Sequence, residues 1–337
     1  MKVLMPDTYR AVMLTRKGGP EVLQVVALPI VQPGLGQLRV HVRAAGIGAT
    51  ELTMLSGNYL YAPKMPFVPG YEIAGVVDAI GPGVTGFQLG QRVAALTLYG
   101  GFAEHLVRDA GQFLPIPDAV SDRDAAAVIL NYVTAWQMIH RVAKVQPGQT
   151  ALVTGAAGGV GTAALQLLKL AGVKTYGSAS LQKHPLLRTL GTVPINYHAG
   201  RIDHLIRSLE PNGVDLVFDA IGGPNIGPCI GALRRGGMLI AFGFIAAPGS
   251  LSKGAMFANL FLGSRLRGRR GTFYGITMLY RKDPQPFRED LPKILQLLSE
   301  KKIDPLITRT FPLLEARKAI EFLATGAVEG KIVLTNP

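Results

Sequence analysis

A glycine-rich turn between a buried strand and a helix constrains the fold of this chain more than any other feature. The apolar run TALVT passes into an apolar helix through the sequence Thr154-Gly155-Ala156-Ala157-Gly158-Gly159-Val160-Gly161. A diphosphate can reach the backbone N–H groups of such a turn only where no side chain larger than a methyl group intervenes. Gly158 permits that approach, and Gly161 lets the helix pack against the strand. The turn therefore predicts a dinucleotide-binding site.

Strands and helices alternate after this turn. Segments with helical spacing separate four further apolar runs, which read VKTYGSAS, VPINY, VDLVFDAIG and GGMLIAFG. Buried parallel strands are typically unbroken apolar runs, and repeated strand–helix units form a doubly wound sheet. We therefore predict an α/β fold in which residues 126–283 form a Rossmann domain with a doubly wound parallel sheet.

The first part of the chain has a different, β-rich pattern. From Tyr9 to Ala110, short runs rich in Val, Ile and Ala are separated by Gly and Pro, as in a small barrel or irregular sheet. A helix is predicted from Ser121 to Val142, with Ser121 as its N-cap. The helices and strands after Pro284 have no place in a completed nucleotide-binding sheet. We therefore predict a β-rich substrate domain over residues 1–125, which residues 284–337 complete.

Positive charge is the strongest feature of the composition. The 337 residues carry a formal net charge of +13, and the charge is densest at Arg265, Arg267, Arg269 and Arg270. Such an excess could attract a phosphate-bearing ligand, a nucleic acid or an anionic surface. No aromatic residues interleave with these arginines, and no nucleic-acid-binding motif accompanies them. We interpret this arginine cluster as a solvated loop and expect no nucleic-acid partner.

Cysteine content and hydropathy narrow the class of protein further. Cys229 is the only cysteine, which excludes an intrachain disulfide and a zinc site of four thiolates. We interpret Cys229 as a small buried residue of a helix. No run of about 18 apolar residues is present, and residues 1–16 lack the pattern of a signal peptide. We expect a cytoplasmic protein without a transmembrane segment.

The end of the second Rossmann strand distinguishes between the two nicotinamide dinucleotides. An NAD-binding protein usually carries Asp or Glu about 20 residues beyond the glycines, where it binds the ribose 2′-hydroxyl. The corresponding segment here contains Ser178, Ser180 and Lys183 and no acidic residue. Hydroxyl and ammonium groups suit a 2′-phosphate, so we favour NADPH over NADH. The alternative is that the two serines cap the strand end and that Lys183 is a solvated helix residue.

The chain resembles the quinone oxidoreductase branch of the medium-chain dehydrogenases and reductases, which includes ζ-crystallin and enoyl reductases. The resemblance extends over nearly the whole chain, in VRAAGIGATELTMLSGNY, PFVPGYEIAGVV, GQRVAAL, GGFAEH, NYVTAW, GAAGGVG and GKIVL. It implies a GroES-like β-rich catalytic domain joined to a Rossmann domain. Zinc-dependent relatives carry cysteine and histidine ligands where this chain has Gly48 and Tyr71, so the resemblance implies a reductase without catalytic zinc.

The resemblance also assigns residues to the cofactor. The diphosphate would lie at the turn that contains Ala157, Gly158, Gly159, Val160 and Gly161. Positions that face the adenosine 2′-phosphate are occupied by Ser178, Lys183 and Tyr197. Thr134 would face the nicotinamide carboxamide, and backbone groups of Gly243 and Phe244 would meet the nicotinamide half. Asn131 is assigned beside the nicotinamide, although a structural hydrogen bond at the start of a helix explains it equally well.

A zinc-free site of this kind would deliver hydride from NADPH to an acceptor that is already polarised. The acceptor would be a quinone or the activated C=C bond of an enone, enal or enoyl thioester. Many relatives have asparagine, aspartate and tyrosine where this chain has Gly48, Glu51 and Thr53, so their quinone specificity cannot be transferred. Tyr59 is the leading candidate for a hydrogen-bond donor to the acceptor oxygen and Asn131 the second, while plain core packing is the alternative for Tyr59.

Two further expectations concern partners. Family members form an edge strand that pairs across a homodimer, and the segment Gly271–Leu279 lies at the corresponding place. We therefore expect a homodimer. A catalytically weak, NADPH-binding protein that attaches to nucleic acid or to a membrane surface is the alternative from another class, and the positive charge supports it.

Overall fold

The computed structural model describes residues 7–244 and 250–337, which form two compact units. The β-rich unit comprises the chain up to residue 133 together with residues 284–337, and the parallel-sheet unit comprises residues 134–283. The strands, in chain order, are β1 (Thr8–Leu14), β2 (Leu23–Pro29), β3 (Gln37–Ile47), β4 (Glu72–Ile80), β5 (Arg92–Leu96), β6 (His105–Asp109), β7 (Leu114–Pro115), β8 (Thr150–Thr154), β9 (Lys174–Ala179), β10 (Val193–Asn196), β11 (Val214–Asp219), β12 (Leu233–Ala241), β13 (Arg270–Phe273), β14 (Ile307–Pro312) and β15 (Lys331–Thr335).

Eleven α-helices occur in the described part of the chain. They are α1 (Ala49–Leu55), α2 (Asp122–Trp136), α3 (Gly159–Leu170), α4 (His184–Thr189), α5 (Ile202–Leu209), α6 (Ile226–Ala232), α7 (Ser250–Ala258), α8 (Ser264–Leu266), α9 (Ile276–Lys282), α10 (Gln285–Ser299) and α11 (Ala316–Ala324). Wider, π-helical turns continue α2 over Gln137–Ala143 and join α7 to α8 over Asn259–Gly263. None of the helices in the described ranges has the length and apolar character needed to span a bilayer.

The β-rich unit contains a seven-stranded sheet and a separate hairpin-like pair. The sheet has the order β14-β15-β3-β4-β5-β7, with β6 also paired to β3, and β1 pairs with β2. The C-terminal strand β15 lies antiparallel to β3, with Ile332 opposite Ile47. The segment after residue 284 therefore supplies two strands to the sheet that the first part of the chain begins.

The parallel-sheet unit is a Rossmann domain. Its six strands have the order β10-β9-β8-β11-β12-β13, and every neighbouring pair is parallel. The chain runs outward in one direction from β8 to β10 and in the other from β11 to β13, so the order reverses between β8 and β11. Ligands of such sheets bind outside the carboxyl ends of the strands at this reversal.

Two local predictions are confirmed. The Ser121 hydroxyl accepts a hydrogen bond from the Asp124 N–H at 3.1 Å, which makes Ser121 the N-cap of α2. Cys229 is completely buried on α6. Burial raises the pKa of its thiol well above the usual value. The side chain is therefore a small buried residue of a helix, as the sequence suggested, and its Sγ also accepts the Asn225 amide at 3.2 Å and donates to the Asp219 carboxylate at 3.7 Å.

The predicted boundary and the predicted edge strand both differ from the structure. The two units divide between residues 133 and 134, inside α2, whereas the pattern change in the sequence lies near residue 125. The strand expected over Gly271–Leu279 covers only Arg270–Phe273, and α9 begins at Ile276. The extended prediction was wrong because Ile276 and Thr277 bury their side chains on a helix rather than alternating along a strand. The homodimer itself stays a prediction.

The arginine cluster covers the end of α8 and the start of β13. Arg265, Arg267 and Arg270 are exposed and Arg269 is partly buried. Two of these side chains donate to backbone carbonyls, Arg267 to Gly263 at 3.0 Å and Arg269 to Leu233 at 3.0 Å. The cluster therefore supports local backbone structure in addition to carrying charge.

Candidate functional site

The glycine-rich turn of the parallel-sheet unit has the geometry of an anion-binding loop. The chain leaves β8 at Gly155, which has φ +61°, and the Gly158 N–H donates to the Gly155 carbonyl at 3.0 Å. Helix α3 begins directly after Gly158, and no side chain caps its first N–H groups. The N-terminal N–H groups of a helix have no partner within the helix and attract negative charge. This helix start is therefore open to a diphosphate.

The last glycine of the turn is required by packing. A Cβ atom at residue 161 would lie 2.4 Å from the Gly155 carbonyl oxygen and 2.7 Å from that of Ala156. Both neighbours are backbone atoms, which cannot move without shifting the turn. At Gly158, by contrast, a Cβ atom would meet only the Gly155 oxygen, at 3.3 Å. The structure thus places Gly161 on the packed side of the turn and Gly158 on the more open side.

A buried carboxylate beside the turn escaped the sequence analysis. Asp219 ends β11, is completely buried, and accepts hydrogen bonds from the Thr154 hydroxyl at 2.6 Å and the Gly222 N–H at 2.8 Å. The Asn225 amide donates to the same carboxylate at 2.7 Å. These bonds tie the ends of β8 and β11 together where the strand order reverses. The sequence signal that could have identified Asp219 is an acidic residue at the end of an apolar run, as in VDLVFD.

The residues assigned to the 2′-phosphate lie at the carboxyl ends of two neighbouring strands. Ser178 lies on β9 and is paired with Ile195 of β10. Ser180 and Lys183 follow β9 in a short turn, in which the Lys183 N–H donates to the Ser180 carbonyl at 3.0 Å. Tyr197 follows β10, and its side chain is 49% exposed. The structure therefore brings these four residues to one end of the β9–β10 pair.

Thr134 presents a buried hydroxyl that a cofactor could bind. It lies on α2 and is 5% exposed, and within the described part of the chain its buried hydroxyl has no hydrogen-bond partner. A buried hydroxyl without a partner is unfavourable by about 1–3 kcal/mol, so such groups usually meet a ligand or water. A nicotinamide carboxamide fits this position, because it offers both a donor and an acceptor.

The segment after β12 approaches the turn after β11 closely. A Cβ atom at Gly243 would lie 1.9 Å from the Ala220 carbonyl oxygen, so only glycine allows this approach. The Phe244 ring stacks on Phe273 with centroids 4.7 Å apart. The Phe244 side chain is thus held by the protein, and its backbone is the part that could meet a ligand.

The β-rich unit holds a pair of hydrogen-bonded tyrosines. The Tyr59 hydroxyl donates to the Tyr71 hydroxyl at 3.1 Å, and the two rings meet edge to face. Tyr71 is 2% exposed, and burial raises the pKa of its hydroxyl well above the usual value. Tyr71 therefore stays protonated and fixes the position of the Tyr59 hydroxyl.

Asn131, the second predicted donor, is buried on α2, at 6% exposure.

A second group missed by the sequence analysis is a cluster of buried charged residues. The Lys331 ammonium donates to the Glu72 carboxylate, and the side chains are 3% and 0% exposed. Glu72 also accepts a hydrogen bond from the Leu130 N–H. A Cβ atom at Gly46 would overlap both side chains, so this glycine makes room for the pair. The residues are 259 positions apart, and no local pattern indicates the contact.

Glu51 lies beside this pair and has an unusual protonation state. Its Oε2 accepts the Gly48 N–H at 2.8 Å, whereas its buried Oε1 has no partner among the described residues. Burial raises the pKa of this carboxyl to about 7, although the Lys331 ammonium acts in the opposite direction. Glu51 therefore retains its proton for about half of the time at neutral pH.

We expect the stability of a Glu51→Gln variant to depend on pH differently from that of the parent protein. Folding raises the Glu51 pKa from 4.5 to about 7, which corresponds to about 3 kcal/mol. The folded parent binds this proton more tightly than the unfolded chain, so the parent loses stability between about pH 4.5 and 7, and the variant lacks this loss. The difference in unfolding free energy, variant minus parent, should rise by about 3 kcal/mol between pH 4.5 and 8 in urea titrations.

The exposed Glu321 on α11 supplies a matched control for this experiment. Its substitution by Gln removes an exposed carboxyl of the same unit. A Glu51→Gln difference that stays constant with pH would contradict the raised pKa.

The positions of the zinc ligands in related enzymes carry no metal-binding side chains. Gly48 precedes α1 and Tyr71 precedes β4, and neither supplies a thiolate or an imidazole. Across residues 7–244 and 250–337, no group of three or more His, Cys, Asp or Glu side chains could hold a metal ion.

Comparison with known protein families and sequences agrees with this architecture. The family model of the alcohol dehydrogenase GroES-like domain matches residues 34–118, and the zinc-binding dehydrogenase model matches residues 190–334. The synaptic vesicle membrane protein VAT-1 homolog of Rattus norvegicus is 37% identical over 238 residues, which cover 69% of this chain and 59% of that protein. This chain thus matches about three fifths of the length of that relative. The quinone oxidoreductase-like protein 2 homolog of Nematostella vectensis is 31% identical over 334 residues, which cover 98% of this chain and 89% of the relative.

Solved structures agree as well. The quinone oxidoreductase from Coxiella burnetii superposes with a TM-score of 0.83 at 26% identity, over 98% of this chain and 100% of the other. A mycobacterial protein solved in complex with NADPH has a TM-score of 0.83 at 27% identity, over 97% and 100% of the two chains. The fold, the glycine turn and these similarities lead to one conclusion: the chain belongs to the medium-chain dehydrogenase/reductase superfamily, in its zinc-free quinone oxidoreductase branch.

Proposed function

We propose that this protein is a zinc-independent, NADPH-dependent reductase of small polarised acceptors. The acceptor is a quinone or the activated C=C bond of an enone, enal or enoyl thioester. The proposal depends above all on the open glycine turn beside a strand end that carries hydroxyl and ammonium groups and no carboxylate. Membership of an oxidoreductase family supports it, and so does the NADPH complex of the mycobacterial relative.

The residues of the parallel-sheet unit fit such a cofactor. Backbone N–H groups of the turn from Ala157 to Gly161 would hold the diphosphate, apart from that of Gly158, which donates to Gly155. Ser178, Ser180, Lys183 and Tyr197 would surround the 2′-phosphate. The unpartnered hydroxyl of Thr134 would bind the carboxamide, and the backbone of Gly243 and Phe244 would bound the nicotinamide half. When bound, NADPH supplies a hydride.

The reduced acceptor would need a hydrogen-bond donor, and our two candidates belong to the β-rich unit. Negative charge develops on the acceptor oxygen as hydride arrives, and a fixed hydrogen-bond donor stabilises that charge. Tyr59 is our candidate donor: its hydroxyl hydrogen, which is donated to the Tyr71 hydroxyl in this structure, would turn to the acceptor oxygen, and the Tyr71 hydroxyl would then donate to Tyr59. Asn131 is the second candidate. Solvent supplies the proton that completes the reaction, and Glu51 is a further group in this unit that holds a proton near neutral pH.

Replacing Lys183 by Gln should reduce the affinity for NADPH by about 10-fold and leave the affinity for NADH unchanged, since only NADPH carries the additional phosphate. Calorimetric titration with each nucleotide measures both values. Lys169→Gln is the matched control, because Lys169 is an exposed lysine of the same unit on α3. Equal loss of affinity for both nucleotides would argue against a 2′-phosphate site.

The reaction itself is tested by following NADPH oxidation with a panel of quinones and α,β-unsaturated ketones, aldehydes and thioesters. Tyr59→Phe should lower turnover by at least about 10-fold, because the oxyanion loses a donor. The neighbouring Tyr61, whose ring centroid lies 6.0 Å from that of Tyr59, provides the control Tyr61→Phe, which should keep activity within about 2-fold.

If Tyr59→Phe and Asn131→Ala both retain full turnover, the assignment of these donors is wrong. NADPH binding without oxidation of any acceptor would instead support the catalytically weak binding protein. The exposed arginine cluster would then be its contact with nucleic acid or membrane, and a salt titration of binding to RNA and to anionic vesicles would separate these two partners.

A further inference from the structure

The β-rich unit contains a pocket that the proposed reaction does not use. Its volume is about 350 Å³, and it lies between β1, the segment 63–68, the turn at Tyr99 and Gly100, and β6. Ligand pockets in proteins begin at about this volume. None of the residues assigned above to the cofactor or to the acceptor lines it.

Arg108 is built into the wall of this pocket. Its Nη2 donates to the Tyr99 carbonyl at 3.1 Å, its Nη1 donates to the Val107 carbonyl at 2.9 Å, and its Cζ lies 5.1 Å from the centroid of the Tyr99 ring. Gly100, with φ +95°, makes this position possible, because a Cβ atom there would lie 2.7 Å from Arg108 Nη2. Two backbone carbonyls and the Tyr99 ring therefore hold the guanidinium in place, and the absence of a side chain at Gly100 leaves room for it.

The charge of Arg108 has no counter-charge in the pocket wall. Two other basic residues of the wall, Arg39 and His105, each have a nitrogen 2.9 Å from the carboxylate of Asp78. Neither Arg108 nor Lys64 forms an ion pair with any described residue, and no acidic residue lines the pocket.

Neither acidic neighbour of Arg108 along the chain forms an ion pair with it, although the charge of Asp109 acts on the guanidinium from a distance. Glu104 binds Arg10, and Asp109 is exposed and accepts a bond from the Gln37 amide at 3.4 Å. Burial accordingly lowers the pKa of Arg108. An arginine in such surroundings is stabilised by an anion.

The remaining wall is apolar and aromatic. It contains the Tyr9 ring together with Phe67, Val68, Leu106, Pro63 and Pro66. Burial raises the pKa of the Tyr9 hydroxyl, so this group stays protonated and can donate a hydrogen bond. The wall therefore combines the guanidinium of Arg108, the exposed ammonium of Lys64 and the hydroxyl of Tyr9 with a surface that suits a flat hydrocarbon.

We propose that this pocket binds a small organic anion, in which a carboxylate or phosphate is attached to a flat apolar body. The guanidinium of Arg108 forms a two-point contact with the anionic group, and the ammonium of Lys64 adds a second positive charge. The apolar body lies against Phe67 and Leu106. The site is independent of the proposed reductase activity.

The proposal is tested by isothermal titration calorimetry with three naphthalene probes. These are 2-naphthoate, 2-naphthyl phosphate and the neutral 2-naphthylmethanol, each titrated with and without saturating NADPH. At least one of the two anions should bind at least about 10-fold more tightly than the alcohol, and its affinity should fall as salt increases. Binding should persist with NADPH present, which excludes the glycine turn as the site.

Variants assign the site. Arg108→Gln should weaken binding of the anion by at least about 10-fold, and Lys64→Gln by less, since Lys64 is exposed. Arg16→Gln is the control, because Arg16 is an exposed arginine just beyond β1 whose loss changes the net charge equally. Arg108→Lys keeps the charge without the fork and should give an intermediate affinity. If Arg108→Gln does not fold, the affinities of Arg108→Lys and Lys64→Gln for the anion are compared with that of the parent protein.

Three results would overturn the proposal: no heat from either anion at millimolar concentration, equal binding of the alcohol, or unchanged binding by both Arg108 variants. Because the probes contain no acceptor group, these results are independent of any result on NADPH oxidation.

Discussion

Replacing Lys331 by Met destabilises the β-rich unit by about 3–5 kcal/mol, because the substitution leaves the Glu72 carboxylate buried without a counter-charge. Because the methionine side chain fills a similar volume, the loss of stability measures the missing counter-charge and not a cavity. Urea titration of the parent and the variant measures the change in the free energy of unfolding. The double variant Lys331→Met, Glu72→Gln should recover most of the loss, since the neutral amide still accepts the Leu130 N–H.

A surface ion pair provides the comparison for this experiment. Arg317 and Glu321 on α11 lie 2.9 Å apart, and their side chains are 53% and 48% exposed. Arg317→Ala should cost less than about 1 kcal/mol, because water screens the charges. A loss in Lys331→Met as small as that in Arg317→Ala would contradict the buried ion pair.

The second large effect is expected at the glycine turn. Gly161→Ala places a methyl group 2.4 Å from one backbone oxygen and 2.7 Å from another, so the turn or the start of α3 must shift. We expect the affinity for NADPH to fall by about 100-fold, or about 2.7 kcal/mol, because the N–H groups lose their common direction. Calorimetric titration with NADPH measures this loss.

Gly254 on α7 is the matched control for Gly161. A Cβ atom there meets nothing within 4 Å. Gly254→Ala should leave NADPH affinity unchanged and stabilise the helix by up to about 1 kcal/mol. Wild-type affinity in Gly161→Ala would remove the structural basis for a cofactor at this turn.

The sequence predicts the parallel-sheet unit well because its signals are local. Strands β8 and β11 are largely apolar runs, and the spacing of Gly158 and Gly161 follows from a strand, a turn and a helix that are adjacent in the chain. The positions of the zinc ligands could also be identified from the sequence, because Gly48 and Tyr71 lie in segments that resemble the family. Patterns of this kind need no knowledge of long-range contacts.

Long-range contacts account for what the sequence analysis missed. Glu72 meets Lys331 across 259 positions, and the acidity of Glu51 depends on burial against them. Asp219 was overlooked because its partner Thr154 lies 65 positions earlier. The strand expected to extend to Leu279 was wrong for a different reason: the apolar run ITML suits both a strand and a helix, and tertiary packing selects the helix. The roles of Tyr59, Asn131 and Thr134 came from the resemblance alone, and they stay predictions.

The path of the chain through the two units has a consequence for its synthesis. The Rossmann domain is one uninterrupted stretch, residues 134–283, so it has all its strands soon after that stretch leaves the ribosome. The first 133 residues emerge earlier, yet β3 obtains its neighbour β15 only after residues 331–335 are made. Domains fold as units during translation. The Rossmann domain is therefore complete first, and the edge of β3 over residues 44–47 stays unpaired until β15 is made.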